Sequence, residues 1–182
     1  MRVIGGKLKR RTLKEVPSDI TRSTKDRVKE SVFNMIMPSL YDANVLDLFA
    51  GSGALGIEAI SRGAAYCDFI EKDTVAHTVL QSNIDALDIR PQVNLKRMDA
   101  LSFINQIKTS YNIILLDPPY KSGLLDDILS IISKNYSLTK EGIIVILSGK
   151  SSSYNIPSSF KETKVKTIGI TDVKILSWSE SL

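Results

Sequence analysis

The spacing of hydrophobic positions changes in a regular way along the chain. Val28, Val32, Phe33, Ile36 and Met37 recur at helical intervals, which predicts a helix over residues 24–37 with Thr24 able to cap it and Pro38 after its end. Short apolar runs then alternate with helical patterns. Strands are expected at 45–50, 66–70, 93–98, 112–116 and 143–147, with helices at 53–62, 74–87, 101–108 and 124–134 between them. Beyond 147 the pattern breaks. Residues 148–159 are rich in Ser, Asn and Gly and read as a loop, and two β-like runs, 160–168 and 171–178, flank Gly169 as a hairpin. The alternation predicts an α/β, Rossmann-like fold: a mostly parallel seven-stranded sheet, doubly wound, closed by a C-terminal antiparallel hairpin. Ahead of it, residues 3–13 carry Gly5-Gly6 and are followed by Pro17, so they read as an extended or hairpin-like segment. The organisation expected is a small N-terminal extension over 1–40 and a main domain over 41–182.

Composition narrows the class. With 182 residues, 43% hydrophobic and 24% charged, the chain has the length and balance of one globular domain. Its apolar runs are too short to cross a bilayer, and the opening residues turn basic where a signal peptide needs an apolar core, so a soluble cytoplasmic protein is expected; it is also expected to be a monomer. The lone Cys67 excludes an internal disulfide and a cysteine-based zinc cluster, and the lone His77 excludes a histidine-rich metal site. No metal is expected. Cys67 itself reads as a buried structural thiol and not a nucleophile.

Charge changes the picture more than composition does. Residues 1–30 hold ten Lys and Arg against four acids, whereas the remaining 152 hold fourteen against sixteen. A basic arm on a nearly neutral body is the footprint of a polyanion binder, because each cation placed at a phosphate releases a condensed counterion. Arg2, Lys7, Lys9, Arg10, Arg11, Arg22 and Arg27 are the candidate phosphate contacts.

The chemistry concentrates at the predicted strand ends, where doubly wound sheets bind ligands. Asp47, Glu71, Asp99 and Asp117 all fall there. Residues 51–56 spell Gly-Ser-Gly-Ala-Leu-Gly between a strand and a helix, with Glu71 twenty residues beyond Gly51 and able to accept from ribose hydroxyls. The loop alone suits a dinucleotide or an adenosylmethionine. Asp47, just ahead of it, would oppose a pyrophosphate but favour a sulfonium and an ammonium, which points to S-adenosylmethionine. A Walker-type site is excluded, since no Gly-Lys-Ser/Thr follows the loop.

Asp117-Pro118-Pro119-Tyr120 is the most specific segment. Two prolines fix the backbone and remove two donors, leaving a stiff run of acceptors beside a carboxylate and an aromatic ring. Such a set suits a planar substrate bearing an amino group. Asp117 and the Pro118 carbonyl can each take one amine hydrogen while Tyr120 stacks on the ring. Asp117, Pro118, Pro119 and Tyr120 are therefore the candidate catalytic residues, acting by alignment and fixed dipoles.

These features resemble class I adenosylmethionine-dependent methyltransferases. More closely, they are similar to the RsmD family of bacterial 16S rRNA guanine-N2 methyltransferases over essentially the whole chain. The similarity lies in residues 1–6 (MRVIGG), in 22–30 (RSTKDRVKE) with Phe33-Asn34, in 46–56 (LDLFAGSGALG), in 117–120 (DPPY) and in Gly169-Ile170-Thr171. Two departures stand out: Ser23 occupies a position where the family usually has proline, and residues 147–150 replace a more acidic stretch. The resemblance implies methylation of the exocyclic N2 of one guanine in 16S rRNA, in a partly assembled small ribosomal subunit. It implies a cofactor site of Thr24, Asp47, Phe49, Ala50, Gly51, Gly53, Glu71, Lys72, Asp99, Ala100 and Asp117. A DNA adenine-N6 methyltransferase, which shares the DPPY chemistry, and an RNA-binding ribosome assembly factor are the alternatives.

Overall fold

The computed structural model describes residues 1–17, 26–119, 123–135 and 137–179. Helix α1 (Asp26–Ile36) is followed by β1 (Asn44–Asp47), α2 (Ala54–Ser61), β2 (Tyr66–Ile70), α3 (Thr74–Leu87), β3 (Val93–Lys96), α4 (Ala100–Gln106) and β4 (Tyr111–Leu116). Then come α5 (Leu124–Ile132), β5 (Leu138–Gly149), β6 (Phe160–Ile168) and β7 (Thr171–Trp178). The seven strands form one sheet in the order β3-β2-β1-β4-β5-β7-β6. The first five are parallel, and β7 inserts antiparallel between β5 and β6.

The central strands are apolar without interruption because both of their faces are covered. Val45, Ile113, Leu115, Val145 and Leu147 pack toward α1, α2 and α3, while Leu46, Ile114, Leu116, Ile144 and Ile146 pack toward α4 and α5. One-residue alternation along each strand thus splits the core into two layers. The strand order reverses between β1 and β4, which opens a crevice at their carboxyl ends.

The N-terminal segment is hairpin-like, with an antiparallel bridge between Arg2 and Thr12. Val3 and Leu13 are buried in the same core as the sheet. The segment's backbone is bound to α2 and α3. Ile4 and Gly5 donate to the Glu58 carboxylate at 2.8 Å each, Leu8 donates to Ser61 Oγ at 2.9 Å, and Lys14 donates to Asn83 Oδ1 at 2.8 Å. Lys29, counted with the basic arm in the sequence, is fully buried and ion-paired to Glu58 at 3.7 Å.

Several boundaries depart from expectation, most of all at two strands, and β5 also runs on to Gly149, into the segment expected as a loop. β1 ends at Asp47, where the chain turns into the glycine loop. β5 begins at Leu138 and not at 143: Leu138 pairs with Tyr111, and the polar residues after it bulge out before Ile143 pairs with Ile113. Among the described residues no helix is long and apolar enough to cross a membrane.

Candidate active site

A cleft of about 1430 Å³ opens at the carboxyl ends of β1, β2 and β4. Its floor brings together most of the residues expected at a cofactor site: Asp47, Phe49, Ala50, Gly51, Glu71, Lys72, Asp99 and Ala100. Asp117, Pro118 and Pro119 line the same cleft at the end of β4. Tyr120, Thr24 and Arg22 lie outside the described residues.

The glycine loop is held from β2. Gly51 donates to Glu71 Oε2 at 2.8 Å, and Asp73 donates to Glu71 Oε1 at 2.7 Å, so this carboxylate fixes the loop while each oxygen keeps a lone pair. Gly51 has φ +54 with no atom of the described residues within 4 Å of where a side chain would start, which leaves space over the loop. Gly53 differs from expectation: it is buried, does not line the cleft, and serves as the N-cap that starts α2.

Asp47 is the unusual group. It is buried, Oδ2 accepts the Gly56 N–H at 2.9 Å, and Oδ1 has no hydrogen-bond partner among the described residues. Loss of water pushes its carboxyl up to about 7, and the nearby charges of Asp117 and Glu71 push the same way, against the pull of the Gly56 and Phe49 N–H groups. A cation brought into the cleft would restore the charge and use the vacant lone pairs. Asp99 has a local role as well: its Oδ1 caps α4 by accepting the Ser102 N–H at 3.1 Å. Cys67 is buried in β2 and its thiol is held well above the usual range by that burial, so it is inert as a nucleophile.

Of the described candidate phosphate contacts, only Arg27 lines the cleft. Arg2 is paired with Asp26 at 3.0 Å, Lys7 donates to Gln92 at 2.7 Å, and Arg11 donates to the Ala86 carbonyl at 2.8 Å. Lys9 and Arg10 are exposed on the turn of the N-terminal segment. The opposite wall of the cleft went unforeseen. It is built by α1 and by the β6–β7 hairpin, including Lys164, Lys166 and Ile170. Lysines inside a β-like run were the available signal.

Residues 1–177 match the family described as Conserved hypothetical protein 95. A Bacillus subtilis (strain 168) relative named "Putative rRNA methyltransferase YlbH" is 40% identical, covering 96% of this chain and 97% of its own. The Ribosomal RNA small subunit methyltransferase D of Escherichia coli (strain K12) is 39% identical over 80% of this chain and 73% of its own. The protein of that name from Haemophilus influenzae is 32% identical over 96% and 92%. The chain belongs to the ribosomal RNA small subunit methyltransferase D family.

The solved Escherichia coli structure of yhhF is similar across the fold, with a TM-score of 0.89, 33% identity and coverage of 100% of this chain and 99% of that one. The sheet order, with its antiparallel C-terminal strands, is that of class I methyltransferases. Methyltransferase D proteins use S-adenosylmethionine. The residues present fit that group: an orphaned buried carboxylate oxygen at Asp47 suits a cationic ligand, and the open space over Gly51 admits one against the backbone. Residues 147–150, the departure noted in the sequence, support the far wall. Leu147 lines the cleft, and the Lys150 N–H holds the Ile170 carbonyl at 3.0 Å.

Proposed function

We propose that the chain methylates the exocyclic N2 of one guanine in 16S rRNA, with a partly assembled small subunit as substrate. The observation that carries this reading is that Asp117 and Pro118 line the same cleft as the glycine loop and Asp47. When bound, the cofactor supplies an electrophilic methyl group on a sulfonium. Asp47, Gly51, Glu71 and Asp99 are the residues to hold it. Asp117 accepts one hydrogen of the guanine amine and the Pro118 carbonyl the other, which turns the nitrogen lone pair out of conjugation with the ring. As the nitrogen becomes positive, Asp117 is the group positioned to receive its proton. Tyr120 is assigned to stacking on the base. Lys9, Arg10 and Arg27 are the described arm residues whose charged groups have no partner among the described residues, and they are assigned to phosphates.

The test incubates the protein and labelled cofactor with small subunits lacking the modification, with their naked rRNA, and with DNA, and identifies the nucleosides by mass. N2-methylguanosine from the ribosomal substrates is expected. N6-methyladenine from DNA would replace the substrate assignment, and no transfer to any of the three despite cofactor binding would overturn it. Asp117→Ala is expected to bind cofactor normally and lose most turnover; normal turnover removes its role.

A further inference from the structure

The cleft is larger than a methyl donor requires. Single small-molecule sites run to about 300–1,000 Å³, whereas this one is about 1430 Å³. Its two walls also differ in sign. Among the described residues, the floor carries five carboxylates and one lysine, while the wall made by α1 and the β6–β7 hairpin carries Arg27, Lys164 and Lys166 against Glu30. A cationic methyl donor matches the first wall, and a polyanion matches the second.

The hairpin is built to present that charge. β6 is the edge strand of the sheet, and residues 161–167 are all exposed. The Lys164 ammonium is committed: it donates to the Met35 carbonyl at 2.6 Å, in the last turn of α1, where helix carbonyls lack partners. That bond braces the hairpin against α1. Lys166, two residues on, and Arg27 on α1 have no side-chain partner among the described residues. Ile170 is 52% exposed at the hairpin turn, at the rim of the cleft, with its carbonyl fixed by Lys150. A large apolar side chain held there by its backbone is a wedge with nothing to wedge against in the free protein.

The geometry points to the β6–β7 hairpin as a second RNA-gripping element, distinct from the N-terminal arm. Lys166, with Arg27 of α1 in the same cleft lining, takes phosphates flanking the target nucleotide, and Ile170 fills the space that the extruded guanine leaves in the stack. This rests on the RNA reading above and adds to it the surface that presents the base. Edge-strand lysines also discourage strand pairing between molecules, a role that would leave RNA affinity untouched.

The experiment uses the full chain with S-adenosylhomocysteine and small subunits lacking the modification, measuring binding from about 50 to 200 mM salt. Lys166→Ala is expected to weaken binding by about 3- to 10-fold and to lower the salt slope by roughly 0.7–0.9, with Lys166→Arg restoring both. Ile170→Ala is expected to bind within about 2-fold of wild type yet transfer about 10-fold more slowly in a single turnover with S-adenosylmethionine. Cofactor affinity by calorimetry should be unchanged in all three variants. Wild-type binding in Lys166→Ala together with a wild-type rate in Ile170→Ala overturns the inference, as does a loss of cofactor affinity. If wild-type protein binds RNA without methylating it, the proposed reaction falls alone, because the binding curves still read the hairpin.

Discussion

Two carboxylates meet at helix α2, its own Glu58 and Asp47 from β1, and both are withdrawn from water, yet their surroundings are opposite. Glu58 is fully buried and saturated: it accepts the Ile4 and Gly5 N–H groups at 2.8 Å and Arg62 Nε at 2.7 Å, with the Lys29 ammonium 3.7 Å away. Asp47, 1% exposed, has the Gly56 N–H on one oxygen and, among the described residues, no partner on the other. A buried charge with its partners in place holds structure together, whereas one left short of them holds a place for a ligand. The same eight-residue helix therefore serves as an anchor for the N-terminal segment and, through Ala54 and Leu55, as part of the cleft lining.

The contrast can be broken most severely at Glu58. Replacing it with Ala leaves Lys29 buried without its carboxylate and frees two backbone N–H groups, so a loss of about 3–5 kcal/mol is expected. At about 2–4 °C per kcal/mol for a domain of this size, the melting temperature should fall by roughly 6–20 °C. An unchanged melting temperature would mean that the network contributes nothing net.

Asp47 should behave in the opposite sense. Its folded carboxyl titrates at about 7 instead of the ordinary 3.8. Between those values the native state keeps a proton that the unfolded chain has released, so this group lowers stability as pH rises from about 4 to 7, by about 4 kcal/mol over the window. Above 7 the loss is complete. Asp47→Asn should therefore gain stability over cofactor-free wild type as pH goes from 5 to 8, while binding cofactor more weakly. Wild-type cofactor affinity should rise over the same interval, because the ligand's positive charge is met by an ionised carboxylate. A stability difference that does not vary with pH would contradict the assignment.

A smaller effect tests the contact between α2 and the sheet. A methyl group at Gly56 would lie 2.2 Å from the Phe69 ring and 2.8 Å from Cys67 Sγ, too close for either to stay in place. Gly56→Ala should cost about 1–3 kcal/mol by overpacking and weaken cofactor binding, since the Gly56 N–H is the group that positions Asp47. The midpoint of denaturant unfolding reads the first effect and calorimetry the second. Least of all, Ser61→Ala removes a hydroxyl that accepts the Leu8 N–H and donates to the Gly5 carbonyl. It should cost about 1 kcal/mol, with cofactor affinity unaltered.

Much of this architecture is legible in the sequence, because the strands buried on both faces are continuous apolar runs and the glycine loop and DPPY segment mark their carboxyl ends. Helix α3 and strands β2, β6 and β7 fall at the boundaries their patterns indicate. What escapes the sequence is set by contacts between distant segments. Glu58, flanked by Ile57 and Ala59, gives no sign that its partners are residues 4, 5 and 29. Lys29 looks like one more cation of the arm until the fold buries it. β5 is cut short in the sequence because Thr139-Lys140-Glu141-Gly142 lacks apolar character, although the extended chain continues through it. The hairpin wall is hidden for a related reason: Lys164 and Lys166 lie about 130 residues from α1, and only the topology makes them neighbours of the cleft.

Asn83 gives the N-terminal segment a mechanical meaning. Its amide takes the Lys14 N–H on Oδ1, at 2.8 Å, and donates through Nδ2 to the Lys14 carbonyl at 3.0 Å and to the Ser52 carbonyl at 2.9 Å. One side chain thus clamps the end of the arm and the middle of the glycine loop to the same point on α3. The loop's stiffness depends on a stretch of chain that joins it through Asn83, nearly seventy residues from Lys14 in the sequence, and a tug on that stretch is borne directly by the loop's own carbonyl. Trimming the arm would not simply remove charge; it would take away two of the three bonds that keep the Asn83 amide from turning, and the glycine loop would lose part of its foundation.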